Sequence, residues 1–270
     1  MQQAIAIMDS GVGGLTVARE VMRQLPREQI IYFGDTARTP YGPRDLMEVR
    51  AFTEQIVDYL MTFNPKMIVI ACNTATAAAL DTIAEKVDIP VVGVIHPGAR
   101  AAISKANNGI IGVIGTKGTV DSGAYAQALK QISPFVNVVS RACPSFVPLV
   151  EQGHFSGRAT YEIVKNELLP LRALPLDCLI LGCTHYPFLA DTIQRVMGPS
   201  VKLISSAEET AREVSTILYE KGQLETGDSI PEHRFLHSGE SDMFEKIAQK
   251  WLAEYIARTK AIWQVASMQG

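Results

Sequence analysis

Two cysteines in this chain share one local setting. The apolar run Met67-Ile68-Val69-Ile70 leads into ACNTATAAAL, which begins at Ala71 and places a thiol at Cys72. A second run, Leu179-Ile180-Leu181, leads into GCTHYPFL, with a thiol at Cys183. Each time a short apolar run ends in a small residue, then a thiol, then side chains that donate and accept hydrogen bonds. A free thiol has a pKa of roughly 8.5, and only its anion is a base. The unpaired N–H groups at the start of a helix favour that anion. The small residues after Cys72 suit a helix start, and Pro187 suits a first turn after Cys183. Either cysteine alone would be read as core, because cysteine is among the most often buried residue types. Recurrence in the same setting moves the reading to chemistry for both. Cys143 and Cys178 lack the setting and are read as core.

Other residues at comparable positions could serve a thiol or hold a ligand. Asp9-Ser10-Gly11-Val12-Gly13-Gly14 follows the first apolar run. Its glycines permit a tight turn and close approach of a ligand to the backbone. The spacing is not that of a dinucleotide fingerprint, and no Walker lysine follows. Asp9 could tune a thiol or accept its proton, and Ser10 with the following amides could hold a carboxylate. The plain alternative is a strand–helix turn capped by Asp9 or Ser10. His185, two residues after Cys183, could act as an acid or base partner. Thr39-Pro40-Tyr41-Gly42-Pro43 is a rigid turn in which Tyr41 and Gly42 could line a cleft mouth. Asn73, Thr74, Thr119 and Thr184 add short hydrogen-bonding side chains. Few cations accompany these motifs, so a small polar or zwitterionic ligand is expected rather than a polyphosphate.

The elements that must position these residues alternate. Apolar runs recur at Ala4–Met8, Gln29–Phe33, Met67–Ala71, Val91–Ile95, Ile110–Ile114, Val136–Val139, Cys178–Leu181 and Val201–Ile204. Helical stripes separate them; Leu46, Val49, Phe52, Ile56, Leu60 and Phe63 form one such face, closed by Asn64-Pro65. The pattern predicts mainly parallel sheets covered by helices on both faces. Moreover, four runs recur in order at nearly constant spacing. IAIMDSG from Ile5 matches GVIGTKG from Gly112, and IIYFGD from Ile30 matches NVVSRA from Asn137. IVIAC from Ile68 matches LILGC from Leu179, and VGVIH from Val92 matches VKLIS from Val201. This is a duplicated α/β unit. The expected organisation is two similar α/β domains related by an approximate twofold axis, with the site in the cleft between them. Residues 1–97 plus 208–270 form the first domain and 98–207 the second, with the tail read as mostly helical.

Composition limits the function further. Of 270 residues, 47% are hydrophobic and 20% charged, enough for a substantial core. The net charge of −3, without a basic block, gives nucleic-acid binding no electrostatic support. MQQAIAIMDSG lacks a basic lead-in and a long apolar core, and the uncharged run from Met67 to Leu80 is shorter than a membrane span. A soluble, cytoplasmic protein with no membrane partner is expected. The cysteines form no CxxC pair, so zinc-ribbon spacing is absent.

Two thiols facing each other across a cleft suit inversion at carbon. A thiolate removes a proton from one face, a thiol delivers one to the other, and the roles swap with direction. Nothing in the sequence marks a pyridoxal phosphate site, so no organic cofactor is expected. A metal site built from Cys72, Cys183, His185 and Asp9 is the competing use of the same side chains, but its spacing matches no closed zinc motif. A non-catalytic two-domain protein closing on an amino acid is another, and it would not need both thiols.

DSGVGGLTV (Asp9–Val17), PYGPR (Pro40–Arg44), ACNTATA (Ala71–Ala77) and GCTHYP (Gly182–Pro187) closely resemble the motifs of the bacterial glutamate racemases, in the same order over nearly the whole chain. The resemblance implies cofactor-independent interconversion of L- and D-glutamate, supplying D-glutamate for peptidoglycan. It makes Cys72 and Cys183 the paired acid/base residues, with Asp9, His185 and Glu151 of the EQGHF stretch supporting them. It makes Ser10, Tyr41, Gly42, Asn73, Thr74 and Thr184 substrate-binding residues, with Thr119 a further candidate. It implies no metal, and a homodimer. Aspartate and hydantoin racemases resemble the chain in the same duplication; a glutamate commonly replaces His185 in them, which favours glutamate here. The tail after Gly222 matches no motif.

Overall fold

The computed structural model describes residues 3–107, 109–239 and 242–266. In chain order its elements are β1 (Ile5–Asp9), α1 (Leu15–Gln24), β2 (Ile30–Gly34), α2 (Leu46–Met61), β3 (Met67–Ile70), α3 (Asn73–Lys86), β4 (Val91–Gly93) and α4 (Ile95–Ile103). There follow β5 (Ile110–Gly115), α5 (Lys117–Asp121), α6 (Ala124–Ile132), β6 (Asn137–Ala142), α7 (Phe146–Glu151), α8 (Arg158–Arg172) and β7 (Cys178–Gly182). After a single 3-10 turn at Tyr186–Leu189 come α9 (Ala190–Met197), β8 (Lys202–Ile204) and α10 (Ser206–Glu220). The chain then runs through β9 (Glu232–His237), α11 (Asp242–Trp251), α12 (Ala253–Ile256) and β10 (Lys260–Val265).

The strands form two parallel sheets, ordered β10-β9-β2-β1-β3-β4 and β6-β5-β7-β8. The second order repeats the β2-β1-β3-β4 portion of the first, and its strands are those matched by the sequence repeat. β1, β2, β3 and β7 are buried along their whole length, as sheets covered on both faces require. This is why each reads as an unbroken apolar run. Alternation would have marked a sheet with one wet face.

Register places the strand ends level. Met8 pairs with Ile70, and Asp9 with Gly34. In the second sheet Gly115 pairs with Gly182. Residues that leave β1 and β3 therefore emerge together, as do those that leave β5 and β7. Between β1 and β3, and between β5 and β7, successive connections depart to opposite sides. In open parallel sheets ligands bind at such switch points, beyond the carboxyl ends. Asp9-Ser10 and Cys72 stand at one, Thr116 and Cys183 at the other.

One apolar cluster crosses between the halves, joining Ile7 and Val69 of the first sheet to Leu179 and Leu181 of the second. α10 packs on both α1 and α4. The tail departs from the helical reading. α10, α11 and α12 are helices, but Glu232–His237 and Lys260–Val265 are strands that extend the first sheet beyond β2. EHRFLH interleaves Glu232 and Arg234, half-exposed at the sheet, with buried Phe235 and Leu236, so no clean apolar run advertises it. Trp263 stacks on Phe235 with ring centroids 4.5 Å apart. Residues 1–2, 240–241 and 267–270 of the expected first domain, and residue 108 of the second, lie outside the described residues.

The tail is also held by a buried ion pair. Lys66 Nζ lies 2.6 Å from Glu28 Oε2, with both side chains almost wholly buried. Lys66 donates to the Gln223 carbonyl, and Glu28 accepts from the Glu225 backbone N–H. Removing one partner strands a buried charge, at a cost of about 3–5 kcal/mol; replacing both with apolar residues of similar volume is often near neutral. Lys66→Met is therefore expected to lower unfolding stability by about that amount, and Lys66→Met with Glu28→Leu to recover most of it, as read by urea denaturation.

Candidate functional site

Cys72 occupies the N-cap of α3 in extended conformation, and its carbonyl accepts from the Thr76 N–H. Its thiol faces a small cleft shared with Ser10, Tyr41 and Asn73 of the first half and Thr116, Cys183 and His185 of the second. The two sulfurs thus enter one cleft from the ends of corresponding strands, β3 and β7. Cys183 does not stand at a helix start as Cys72 does. Its carbonyl accepts from Tyr186 N–H, and the following residues form a 3-10 turn before α9 begins. Pro187 tightens that turn, so the macrodipole argument applies to Cys72 alone.

Cys183 is served by a side chain instead. Its sulfur lies 3.8 Å from His185 Nδ1, and His185 Nε2 lies 2.5 Å from Glu151 Oε1. Burial by itself would lower the His185 pKa; the hydrogen bonds to Cys183 and Glu151, and the charges of both, outweigh it and hold the imidazole well above its ordinary value. Glu151, the last residue of α7, reaches the pair from behind and is partly exposed.

The opposite wall carries negative charge. Asp9 is buried, accepts from Gly11 N–H at 3.1 Å and takes the Thr184 hydroxyl on its other oxygen at 3.1 Å. Burial pushes its carboxyl up to about 6, against the opposing pull of His185 and the hydrogen bonds of Gly14, Gly11 and Thr184. Asp9 does not cap α1, which begins at Leu15 with Gly14 at its N-cap and no side-chain cap. Burial, then the Asp9 charge, pushes the Cys72 thiol up to about 12; the Ala75 N–H and Ser10 oppose this, and Cys183 adds to it.

The glycines after β1 are there for clearance. A Cβ on Gly13 would lie 2.4 Å from both His185 Nδ1 and Thr184 Oγ1, and one on Gly11 would lie 2.7 Å from Glu151 Oε1. The loop that follows Asp9 is thus pressed against the Cys183 side of the site. Tyr32 O–H fixes it by donating to the Gly11 carbonyl at 2.8 Å, and Phe244 of the tail packs on the Tyr32 ring.

The remaining expected residues converge with one exception in depth. Ser10, Tyr41, Gly42, Asn73, Thr74 and Thr184 line the cleft. Thr119 is not among the cleft-lining residues; it lies beside the mouth, where Thr74, Thr116 and Thr119 join their hydroxyls at 2.9–3.2 Å across the two halves. The Gly42 carbonyl accepts from Gly118 N–H at 2.9 Å, closing the mouth. Tyr41 O–H donates to the buried Asp35 carboxylate, which also takes Arg38 at 2.6 Å and Ser238 at 2.6 Å. Thr116 and Val147 also line the cleft, although neither is among the expected binding residues. Thr116 was within reach, since it occupies the position of Asp9 in the repeat; Val147 lies in an ordinary apolar helix and carries no signal. Cys143 and Cys178 are buried away from the cleft, and His96 is exposed on α4.

Among the described residues no group of three or more His, Cys, Asp or Glu side chains is arranged to hold a metal ion. None of the described helices is long and apolar enough to cross a membrane.

The chain is similar to known proteins over most of its length. The family described as Asp/Glu/Hydantoin racemase matches residues 5–214. A glutamate racemase of Bacillus cereus is 54% identical over 97% of this chain and 98% of its own length. The crystal structure of a glutamate racemase isoform from Bacillus anthracis superposes with a TM-score of 0.91 at 48% identity, covering 97% of both chains. That of a glutamate racemase from Francisella tularensis in complex with D-glutamate does so with a TM-score of 0.90 at 33% identity, over 99% of this chain and 98% of the other. By sequence over residues 5–214 and by likeness to these relatives over nearly its whole length, the chain belongs to the Asp/Glu/Hydantoin racemase family and is an isomerase.

Proposed function

We propose that the protein interconverts L- and D-glutamate by two-base proton transfer at Cα, with Cys72 and Cys183 as the acid/base pair and no organic cofactor. The observation that carries this reading is the entry of both thiols into one cleft from corresponding strands of the two sheets. One thiolate takes the Cα proton, breaking C–H and forming S–H; the electron pair stays on the substrate as a carbanion spread into its carboxylate. The opposite thiol then gives its proton to the other face and becomes the thiolate. The reverse direction exchanges the roles.

The surroundings fit such an exchange. Buried Cys72, pushed up to about 12, is a thiol at neutral pH and a strong base once ionised. Asp9 supplies the charge that raises its basicity. On the other side the protonated His185, oriented by Glu151, is the cation against which negative charge on Cys183 is held. Ser10, Asn73, Thr74 and Thr184 offer hydroxyls and an amide to the substrate's polar groups, with Thr119 holding Thr74 and Tyr41-Gly42 forming the mouth. In this reading residues 1–97 plus 208–270 and residues 98–207 are the two lobes. The product serves peptidoglycan synthesis in the cytoplasm, and the working form is a homodimer, as the family resemblance implies.

Racemisation of either glutamate enantiomer in heavy water, without added cofactor, is expected to give product carrying deuterium at Cα. Cys72→Ala and Cys183→Ala are each expected to lower kcat by about 10³-fold or more while leaving glutamate binding largely intact. Undiminished racemisation in either variant overturns the pairing, and chiral chromatography with isotope analysis reads both results.

The pH dependence follows from Asp9. If its carboxylate is the active form, kcat/KM falls about tenfold per unit below pH about 6, and Asp9→Asn lowers kcat and removes that limb. The same group acts on stability with a defined sign. Its folded-state pKa is raised from 3.8 to about 6, so the native protein loses stability as pH rises between those values. The stability of Asp9→Asn relative to the unaltered protein is therefore expected to increase across that window, by up to about 3 kcal/mol, and to stay flat above it in denaturant titrations.

A further inference from the structure

Asn73 is buried at the start of α3, and its two amide atoms have different fates. Oδ1 accepts from Tyr125 O–H at 2.7 Å. Nδ2 meets no hydrogen-bond partner among the described residues although it is buried and its side chain lines the cleft. An unsatisfied buried donor is costly, and in a binding cleft it is held for a ligand acceptor. The two ends of an amide are interchangeable in shape, so something must decide which one faces the cleft. Tyr125 is the group in position to decide it. It lies on α6 of the other half and is buried. The phenol gives its proton to Asn73, and the amide carbonyl is the only end that can receive it.

The backbone around Tyr125 is shaped to admit the ring. A Cβ on Gly182 would lie 3.0 Å from its Cε2, and one on Gly98 would lie 3.2 Å from its hydroxyl. Gly182 is the residue before Cys183, so the same ring packs under the strand end that presents the second thiol.

We propose that Tyr125 is a positioning residue: by donating to Asn73 Oδ1 across the two halves, it turns Asn73 Nδ2 into the cleft as the donor that meets the substrate's carboxylate oxygen. The inference rests on the reading of the cleft as a glutamate site, and it adds to that reading a residue that touches no substrate. Its energetic effect is that of one oriented neutral hydrogen bond, expressed in substrate binding and not in proton transfer.

Tyr125→Phe keeps the ring and deletes the hydroxyl. It is expected to raise KM for both enantiomers about five- to tenfold while changing kcat less than about twofold. A merely structural role would lower the amount of active enzyme, and so apparent kcat, with KM unchanged. A double-mutant cycle with Asn73→Ala makes the distinction sharper. If Tyr125 acts through Asn73, Tyr125→Phe adds nothing to KM in the Asn73→Ala background. An unchanged KM in Tyr125→Phe, or an equal rise in KM with and without Asn73, overturns the proposal. Failure of the unaltered enzyme to racemise glutamate would count against the reading of the site. In that case binding of D-glutamate by the same four proteins, measured calorimetrically, judges Tyr125: coupled losses uphold it, and additive or absent losses overturn it.

Discussion

A pair of thiols can act on one carbon only if the backbone brings both sulfurs to one point from opposite directions and keeps water away. In the proposed two-thiol exchange, this constraint accounts for the architecture. A single parallel sheet has one switch point and offers one strand-end wall. Two sheets with the same strand order offer two such walls, and the sequence that gives one wall its thiol gives the other a thiol at the matching place. The approach of the walls then sets local chemistry. Gly13 has no room for a side chain because His185 and Thr184 come down on it, and Gly11 has none because of Glu151. Three residues of the second half thus dictate glycine in the first.

The same closeness separates the charges. Asp9 and Cys72 share one wall, His185 and Cys183 the other. A buried carboxylate is expensive; the upward displacement of Asp9 to about 6 corresponds to about 3 kcal/mol of strain at neutral pH. Three hydrogen-bonding partners, Gly11, Gly14 and Thr184, reduce that cost without abolishing it. The strain is tolerable because the core beneath is continuous from Ile7 to Leu181. A polar site of this kind is stabilised by the apolar packing around it and contributes nothing to that packing.

What could be read from the sequence follows the same physics. The duplicated strands were legible because β1, β3 and β7 are buried on both faces and leave unbroken apolar runs. Cys72, Cys183 and their polar neighbours were legible because they follow those runs. β9 was not, since Arg234 and Glu232 interrupt it where the sheet is only half covered. The helix start expected after Cys183 was not found, since Pro187 leads into a 3-10 turn. Val147 and Tyr125 belong to helices whose patterns are those of ordinary packing. Only the cross-half contacts of the folded chain distinguish them from their neighbours.

The cleft between the thiols measures about 10 Å³, room for about one water molecule. A glutamate has ten heavy atoms, so binding requires the walls to part. The contacts at the mouth are the Gly118–Gly42 hydrogen bond and the threonine hydroxyls of residues 74, 116 and 119. Each contributes about 0.5–1.5 kcal/mol net, and water can replace it once the mouth opens. Behind the cleft the halves are joined by the shared apolar core and by α10, which packs on both α1 and α4. Separating those surfaces would expose buried carbon at about 25 cal/mol per Å², with nothing to replace the contact. The mouth is therefore the part of the junction that separates at least cost, and a rotation that opens it leaves the back of the molecule closed. In the proposed exchange, closure over the substrate then restores the low-dielectric surroundings that hold the Cys72 pKa up and make its anion strongly basic.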